Sequence, residues 1–409
     1  MRPTPIHRPN ARAGWLARLL GALAAGLGAA ACATAPVVED QGPLVYPPPP
    51  ELPRFVYERT ITGSSDVIVE TSADRFRRFA TGEQIRGKGF SKPFDIVVRN
   101  GRIYVSDTVG RRVHMLDLNE KRYAEIGTKG NGRLAKPLGL ALDQAGRLYV
   151  CDGTAKRVVI FDSEGEFLGA VGGEDFLERP TGVAVSADGS RIFVVDTGGV
   201  WSDNHRVRVF DPKGRHLEDI GTRGADEGEF NLPLTADMGP GETLRVLDTG
   251  NFRVQAFSPE LKVVNAFGKP GRYAGHFSHA KGIATDADGR IYIADTGFGV
   301  VQIFLSDGRV LMSLGSRSET PGAGHFILPA GVSVDLDGRV YVVDQFYSKI
   351  DVFRPAFLPE DWPAGSDYHL TPGYSFDAIS NNEVLNQINS GQDDDFNGSE
   401  TGVEEKEVR

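Results

Sequence analysis

The chain has 409 residues with 50 Gly, 24 Pro, 9% aromatic side chains and a formal charge of −10. That length fits two or three average domains or one large repeat domain, and the composition suits an all-β protein with many tight turns. Residues 356–409 hold twelve Asp/Glu and two Lys/Arg, so the acidity belongs to the tail and the remaining 355 residues are neutral. The two cysteines, Cys32 and Cys151, are 119 residues apart, which excludes a disulfide framework, a cysteine-based metal site and a haem attachment motif.

Residues 1–18 carry Arg2, Arg8, Arg12 and Arg18 without an acid, and residues 19–31 (LLGALAAGLGAAA) are apolar or small. This predicts a signal peptide over 1–31, because thirteen apolar residues are too few to cross a bilayer core of ~30 Å. The segment before Cys32 resembles a bacterial lipobox, although Ala29 stands where Leu is preferred. The resemblance implies lipidation of Cys32 and, with Ala33 after it, an outer-membrane rather than inner-membrane anchor. Residues 32–54 read as a Pro-rich tether.

From residue 90 onward one unit recurs. RIYVSD, RLYVCD, RIFVVD, LRVLD, RIYIAD and RVYVVD end in Asp107, Asp152, Asp196, Asp248, Asp295 and Asp344, with spacings of 45, 44, 52, 47 and 49. Each is preceded by an apolar first strand, from FDIVV to AGVSVD, which starts after a Pro in every unit but the fifth. A third strand (RVHMLD to KIDVFR) follows the Asp, and a fourth ends in Gly. Four short strands per unit predict a propeller blade, and six units predict an all-β, six-bladed β-propeller over residues 55–355. The sixth unit lacks its fourth strand. Residues 55–62 (FVYERTIT) are expected to supply it by pairing with residues 349–353, which closes the ring.

Residues 72–79 (SADRFRRF) are expected to form a short helix with Ser72 as cap and Phe76 and Phe79 facing inward. Residues 356–409 are expected to be largely disordered, with Phe357, Trp362 and Tyr368 packing along the propeller.

The recurring Asp-x-x-Gly-Arg-apolar-Tyr-Val-x-Asp-Thr-Gly-x-x-Arg-Val-x-x-Phe resembles the NHL repeat over about 265 residues. A lyase branch of that family binds zinc through His at the start of the first strands. The matching positions here are Phe94, Leu138, Thr181, Leu234, Lys281 and Ala330, so neither a metal site of that type nor a cofactor is expected. The six repeated Asp residues read as turn-bonding strand ends, and Cys151 as core filler. His276, His279 and His325 fall in loops between blades.

A site on a propeller is expected where the repeat is broken. The third unit carries an insertion at residues 198–204 that holds Trp201 and Asp203. On the same face, the reading places Phe252, Arg272, Lys281, Phe298, Phe346 and Tyr347. Aromatic side chains mixed with charge suit an interface. The leading expectation is therefore a non-enzymatic scaffold of the cell envelope, lipid-anchored, binding an acidic protein surface or a polyanionic glycan and not nucleic acid. The alternative is a lyase or hydrolase of a small molecule or glycan, acting in the central funnel.

Overall fold

The computed structural model describes residues 43–69, 72–81 and 87–366. Residues 1–31, read from the sequence as a signal peptide, Cys32 and residues 367–409 lie outside them. Blade two shows the unit: Pro137–Leu142, Leu148–Asp152, Arg157–Phe161 and Phe167–Gly172 pair antiparallel in that order. The innermost strands of the other five blades are Pro93–Arg99, Pro180–Val185, Pro233–Gly239, Ala280–Thr285 and Pro329–Val334. The second strands are buried along almost their whole length, whereas outer strands such as His216–Ile220 are exposed in the middle. Fully apolar runs therefore sit between neighbouring blades, and alternating ones form the rim.

The core lies between blades. Tyr149, Cys151 and Ile160 of blade two pack with Val183, Ile192 and Val194 of blade three. Burying such aliphatic side chains contributes roughly 1.5–3 kcal/mol each. Cys151 is a free, fully buried thiol in this layer.

Around the axis the inner strands crowd. Four of them place Gly139, Gly182, Gly282 and Gly331 at one level, where Asp95 and Thr235 stand in blades one and four. A Cβ on Gly282 would lie 2.2 Å from the Ala330 carbonyl oxygen, and one on Gly182 would lie 2.6 Å from Thr235 Cα. Glycine is required there because backbone meets backbone.

The repeated Asp residues do more than bond the following turn. Asp295 accepts from Gly297 N at 2.9 Å and Phe298 N at 3.3 Å after it, and also from Ser278 N at 2.8 Å and His279 N at 2.9 Å, just before the inner strand of its blade. Asp107, Asp152 and Asp344 tie two loops together in the same way. A Thr that follows such an Asp latches the next blade: Thr197 Oγ1 donates to Pro233 O and Thr296 Oγ1 to Pro329 O, both at 2.7 Å.

Closure occurs as the sequence implies. Phe55–Ile61 pairs antiparallel with Lys349–Pro355, from Phe55 opposite Pro355 to Ile61 opposite Ile350. Val45–Tyr46 adds a fifth strand outside it, so the Pro-rich segment is already part of blade six from Val45 onward. At the other end Phe357 and Leu358 are buried, and Arg339 donates to the carbonyl of Trp362 at 2.9 Å, so the folded body continues past Pro355.

The helix forms at Ser72–Thr81, but Phe76 and Phe79 are 72% and 89% exposed, not inward. Spacing of i, i+3 puts them on one helix face. The core beside this connection is instead filled by Ile61, Val67 and Phe90.

Candidate functional site

Successive strands of a blade reverse direction. Loops between blades and loops after the repeated Asp therefore share one face, here the upper, and the Asp-x-x-Gly turns share the lower. Lys92, Lys136 and Arg179 precede Pro93, Pro137 and Pro180 at equivalent positions in three consecutive blades, and all three are exposed. Their backbone N–H groups donate to Asp107, Asp152 and Asp196 at 3.0, 2.9 and 2.7 Å. The repeat thus fixes the backbone of three cations on one side of the channel mouth.

Between Lys136 and Arg179 opens a cavity of about 190 Å³, lined by these two and Thr181, with Phe94, Leu138 and Leu234 as its apolar wall. Lys281 of blade five is half-buried. Burial first, and then the nearby charge of Lys92, pull its amine below the ordinary lysine range, while Asp344 opposes the shift. Cations around an apolar floor suit a carboxylate carried on an apolar body.

The blade-three insertion is held rigidly beside this mouth. Glu178 accepts from Gly199 N at 3.1 Å, Ser202 Oγ at 2.5 Å and Asn204 Nδ2 at 2.7 Å. The Ser202 and Asn204 bonds hold its carboxyl below the usual range. Arg223 donates to Ser202 O at 3.0 Å from the following loop. At the tip Trp201 is 91% exposed, with Val200 beside it. An ordered loop presenting one bare indole loses little entropy on binding.

The other sequence candidates divide. Asp203, Arg272 and Phe346 are exposed, whereas Phe252, Phe298 and Tyr347 are half-buried. Phe252 sits at φ 56° and packs on the blade-five core, and the Tyr347 hydroxyl donates to Ser318 O at 2.9 Å. Aromatics in this loop fold back over the blades, so the exposed aromatic surface is smaller than the sequence suggests. Sequence reasoning missed Lys92, Lys136 and Arg179: the basic-Pro dipeptide marks where a strand starts, and only the register shows that it rings the mouth.

A second cavity, about 510 Å³, opens on the lower face, and Asp237, Gly239, Glu242, Thr285, Asp286 and Asp335 are among its lining residues. Burial raises Asp237 to about 6, opposed by Thr285 and Arg245. Burial, then the neighbouring Asp337, raises Asp335 to about 6. Above them Asp95 is raised to about 7 by burial, with Asp237 adding to the shift, although Leu140 N and Ile96 N donate to it, each at 2.9 Å. Among the described residues no group of three or more His, Cys, Asp or Glu side chains could hold a metal ion. No helix among them is long and apolar enough to cross a membrane.

The chain folds as a six-bladed β-propeller and carries a match to the NHL repeat. The NHL repeat family matches residues 134–161, which hold the first three strands of blade two. It is 30% identical over 141 residues to Protein brain tumor of Drosophila melanogaster, a stretch covering 34% of this chain but 12% of that one. Among solved structures it resembles a protein of unknown function from Bacteroides thetaiotaomicron (TM-score 0.52, 16% identity, 73% of this chain and 75% of that one). It also resembles a gluconolactonase from Xanthomonas campestris (TM-score 0.50, 19% identity, 65% and 86%). At these identities the structural likeness is one of fold.

Proposed function

We propose that the protein is a non-enzymatic binding module that offers its upper face to an acidic protein surface in the cell envelope. The observation that carries this reading is the row of Lys92, Lys136 and Arg179, the last two lining a cavity with an apolar wall, with Trp201 held bare on a stapled loop beside it. An acidic side chain entering the mouth gains charge-assisted hydrogen bonds in a partly desolvated setting, and Trp201 supplies an aromatic anchor. The flanking cations also speed encounter with an acidic partner. Lipidation at Cys32 would hold the module at the outer membrane, where the tether sets its reach.

A catalytic reading would centre on Lys281, whose lowered pKa is the one feature of the mouth suited to a nucleophile or base. One experiment tests the binding reading. Envelope proteins are captured on the lipidated chain, and capture is repeated with Trp201→Ala, Lys281→Glu and with Lys136→Glu, Arg179→Glu. Both double variants should lose the acidic partner while the fold is kept. Capture that survives both, or that is lost only on substitution of the lower-face turns, would place the interface elsewhere.

A further inference from the structure

Blade four departs from the other blades at three positions that lie together on the lower face. In the ladder between its first two strands, Asp237 stands opposite Arg245. The corresponding pairs are Val97 with Tyr104, Ala141 with Tyr149, Ala184 with Phe193, Ala284 with Tyr292 and Ser333 with Tyr341. Everywhere else the second-strand residue is aromatic and its partner is small or apolar. Two residues further on, blades two, five and six carry Asp143, Asp286 and Asp335, whereas blade four carries Gly239. In blades two and five that Asp accepts the tyrosine hydroxyl, at 3.1 and 2.9 Å. Blade four has thus exchanged the aromatic for a guanidinium, deleted the carboxylate from the turn, and placed a carboxylate on the cavity wall.

Arg245 is 5% exposed, and its Nε and Nη1 are buried without a hydrogen-bond partner. Its head packs behind the wall of the lower cavity, against residues that line it. Nη1 lies 1.7 Å from the place a Gly239 Cβ would take, and Thr285 Cγ2 borders the same spot. Gly239 and Thr285 both line the cavity. The charges it feels there are those of Asp237 and Asp286, which line the cavity too. A guanidinium cannot shed its proton to relieve burial. Left without acceptors it costs free energy that an apolar pair in the repeat pattern would not.

The chemistry of the walls selects the occupant. A fixed anion would meet Asp237, Glu242, Asp286 and Asp335 in the wall, and a fixed cation would meet Arg99 in the wall and Arg245 behind it. A neutral molecule with adjacent hydroxyl groups meets neither penalty: it accepts from the guanidinium and donates to the carboxylates. The rest of the lining, including Val97, Ala141 and Val334, is apolar and suits the C–H face of a ring. The volume lies within the ~300–1,000 Å³ of small-ligand sites. We propose that the lower cavity binds a small neutral polyhydroxylated molecule of monosaccharide size, held between Arg245 and Asp237.

This site lies on the opposite face from the proposed protein interface, and the test keeps the two apart. The full chain is titrated calorimetrically and melted with D-glucose, D-galactose and D-xylose, and with glucuronate, glucosamine and alanine as anionic, cationic and zwitterionic comparisons. Neutral sugars should raise the melting point by roughly 2–4 °C at saturating concentration. Asp237→Ala, Arg245→Phe restores the pair of blade three, Ala184 with Phe193, which needs no carboxylate two residues on, so it should melt no lower than wild type yet lose at least tenfold in sugar affinity. Arg245→Lys keeps the charge without the planar fork and should show the same loss, which guards against a misfolded double variant. Trp201→Ala, Lys281→Glu should leave the sugar response unchanged. The proposal is overturned if the repeat-restoring variant binds as wild type does, if only charged or zwitterionic probes bind, or if no neutral sugar binds.

Discussion

Arg339 Nε donates to Glu58 Oε2 at 2.6 Å across 281 residues of chain, joining the turn of blade six to the strand that closes the ring. Arg339 is 1% exposed and also pairs with Asp337, so both termini of the folded body meet at one buried guanidinium. Removing one partner of such a buried pair costs about 3–5 kcal/mol. Glu58→Ala should therefore lower the melting point by several degrees. Deleting residues 54–63 should lower it far more, because the whole ladder with Lys349–Pro355 goes with them. Thermal melts followed by circular dichroism check both. A deletion that melts like wild type would refute the closure.

Asp295→Ala should unfold the protein more readily than any surface substitution. It strands four backbone N–H donors in two loops, and each buried unsatisfied group costs about 1–3 kcal/mol. Asn, which keeps one acceptor oxygen, should recover part of the loss in a denaturant titration.

Gly282→Ala adds one methyl group and should still destabilise by about 1–3 kcal/mol, since its Cβ meets the Ala330 carbonyl and the inner strands must part. The same change at Gly169, where nothing lies within 4 Å, should be tolerated. Comparing their unfolding midpoints isolates crowding at the axis from glycine flexibility.

Three carboxyls with strongly raised pKa values contribute to the pH dependence in one direction. Asp95 at about 7 and Asp237 and Asp335 at about 6 hold protons in the folded state that the unfolded chain, near 3.8, has released. Between about pH 4 and 7 the folded state binds more protons, so their effect is to lower stability as pH rises. Asp95→Asn should flatten this slope. It should leave stability at acid pH little changed, because a protonated Asp95 and an Asn each present one carbonyl oxygen to Leu140 N and Ile96 N. Urea titrations from pH 4 to 8 separate the slope from the offset.

Glu178→Ala should free the blade-three loop without harming the core. Hydrogen exchange at residues 198–204 should quicken by tenfold or more, while the melting point moves by less than about 2 °C. Unchanged exchange would mean that the loop is ordered by other bonds.

Much of this was legible in the chain. Six spaced Asp residues and the orphan strand at Phe55 give the blade count and the closure, because a period-two apolar pattern and a missing fourth strand admit few other solutions. The site was less so. Lys92, Lys136 and Arg179 read as strand-start markers until the register turned them toward one opening. Arg245 hides within an apolar second strand, and only its ladder partner Asp237 makes the departure visible. Phe76 and Phe79 failed in the other direction, since spacing fixes which helix face they share but not whether anything covers it.

The seam in blade six has a consequence for synthesis. Phe55–Ile61 leaves the ribosome early, but its partner Lys349–Pro355 is made nearly 300 residues later, so the outer edge of the last blade must wait for almost the whole chain. A product truncated before residue 349 can stack five blades yet cannot bring its two ends together. Only a full-length chain acquires the joint, which makes closure a built-in test of completeness at the final step of folding.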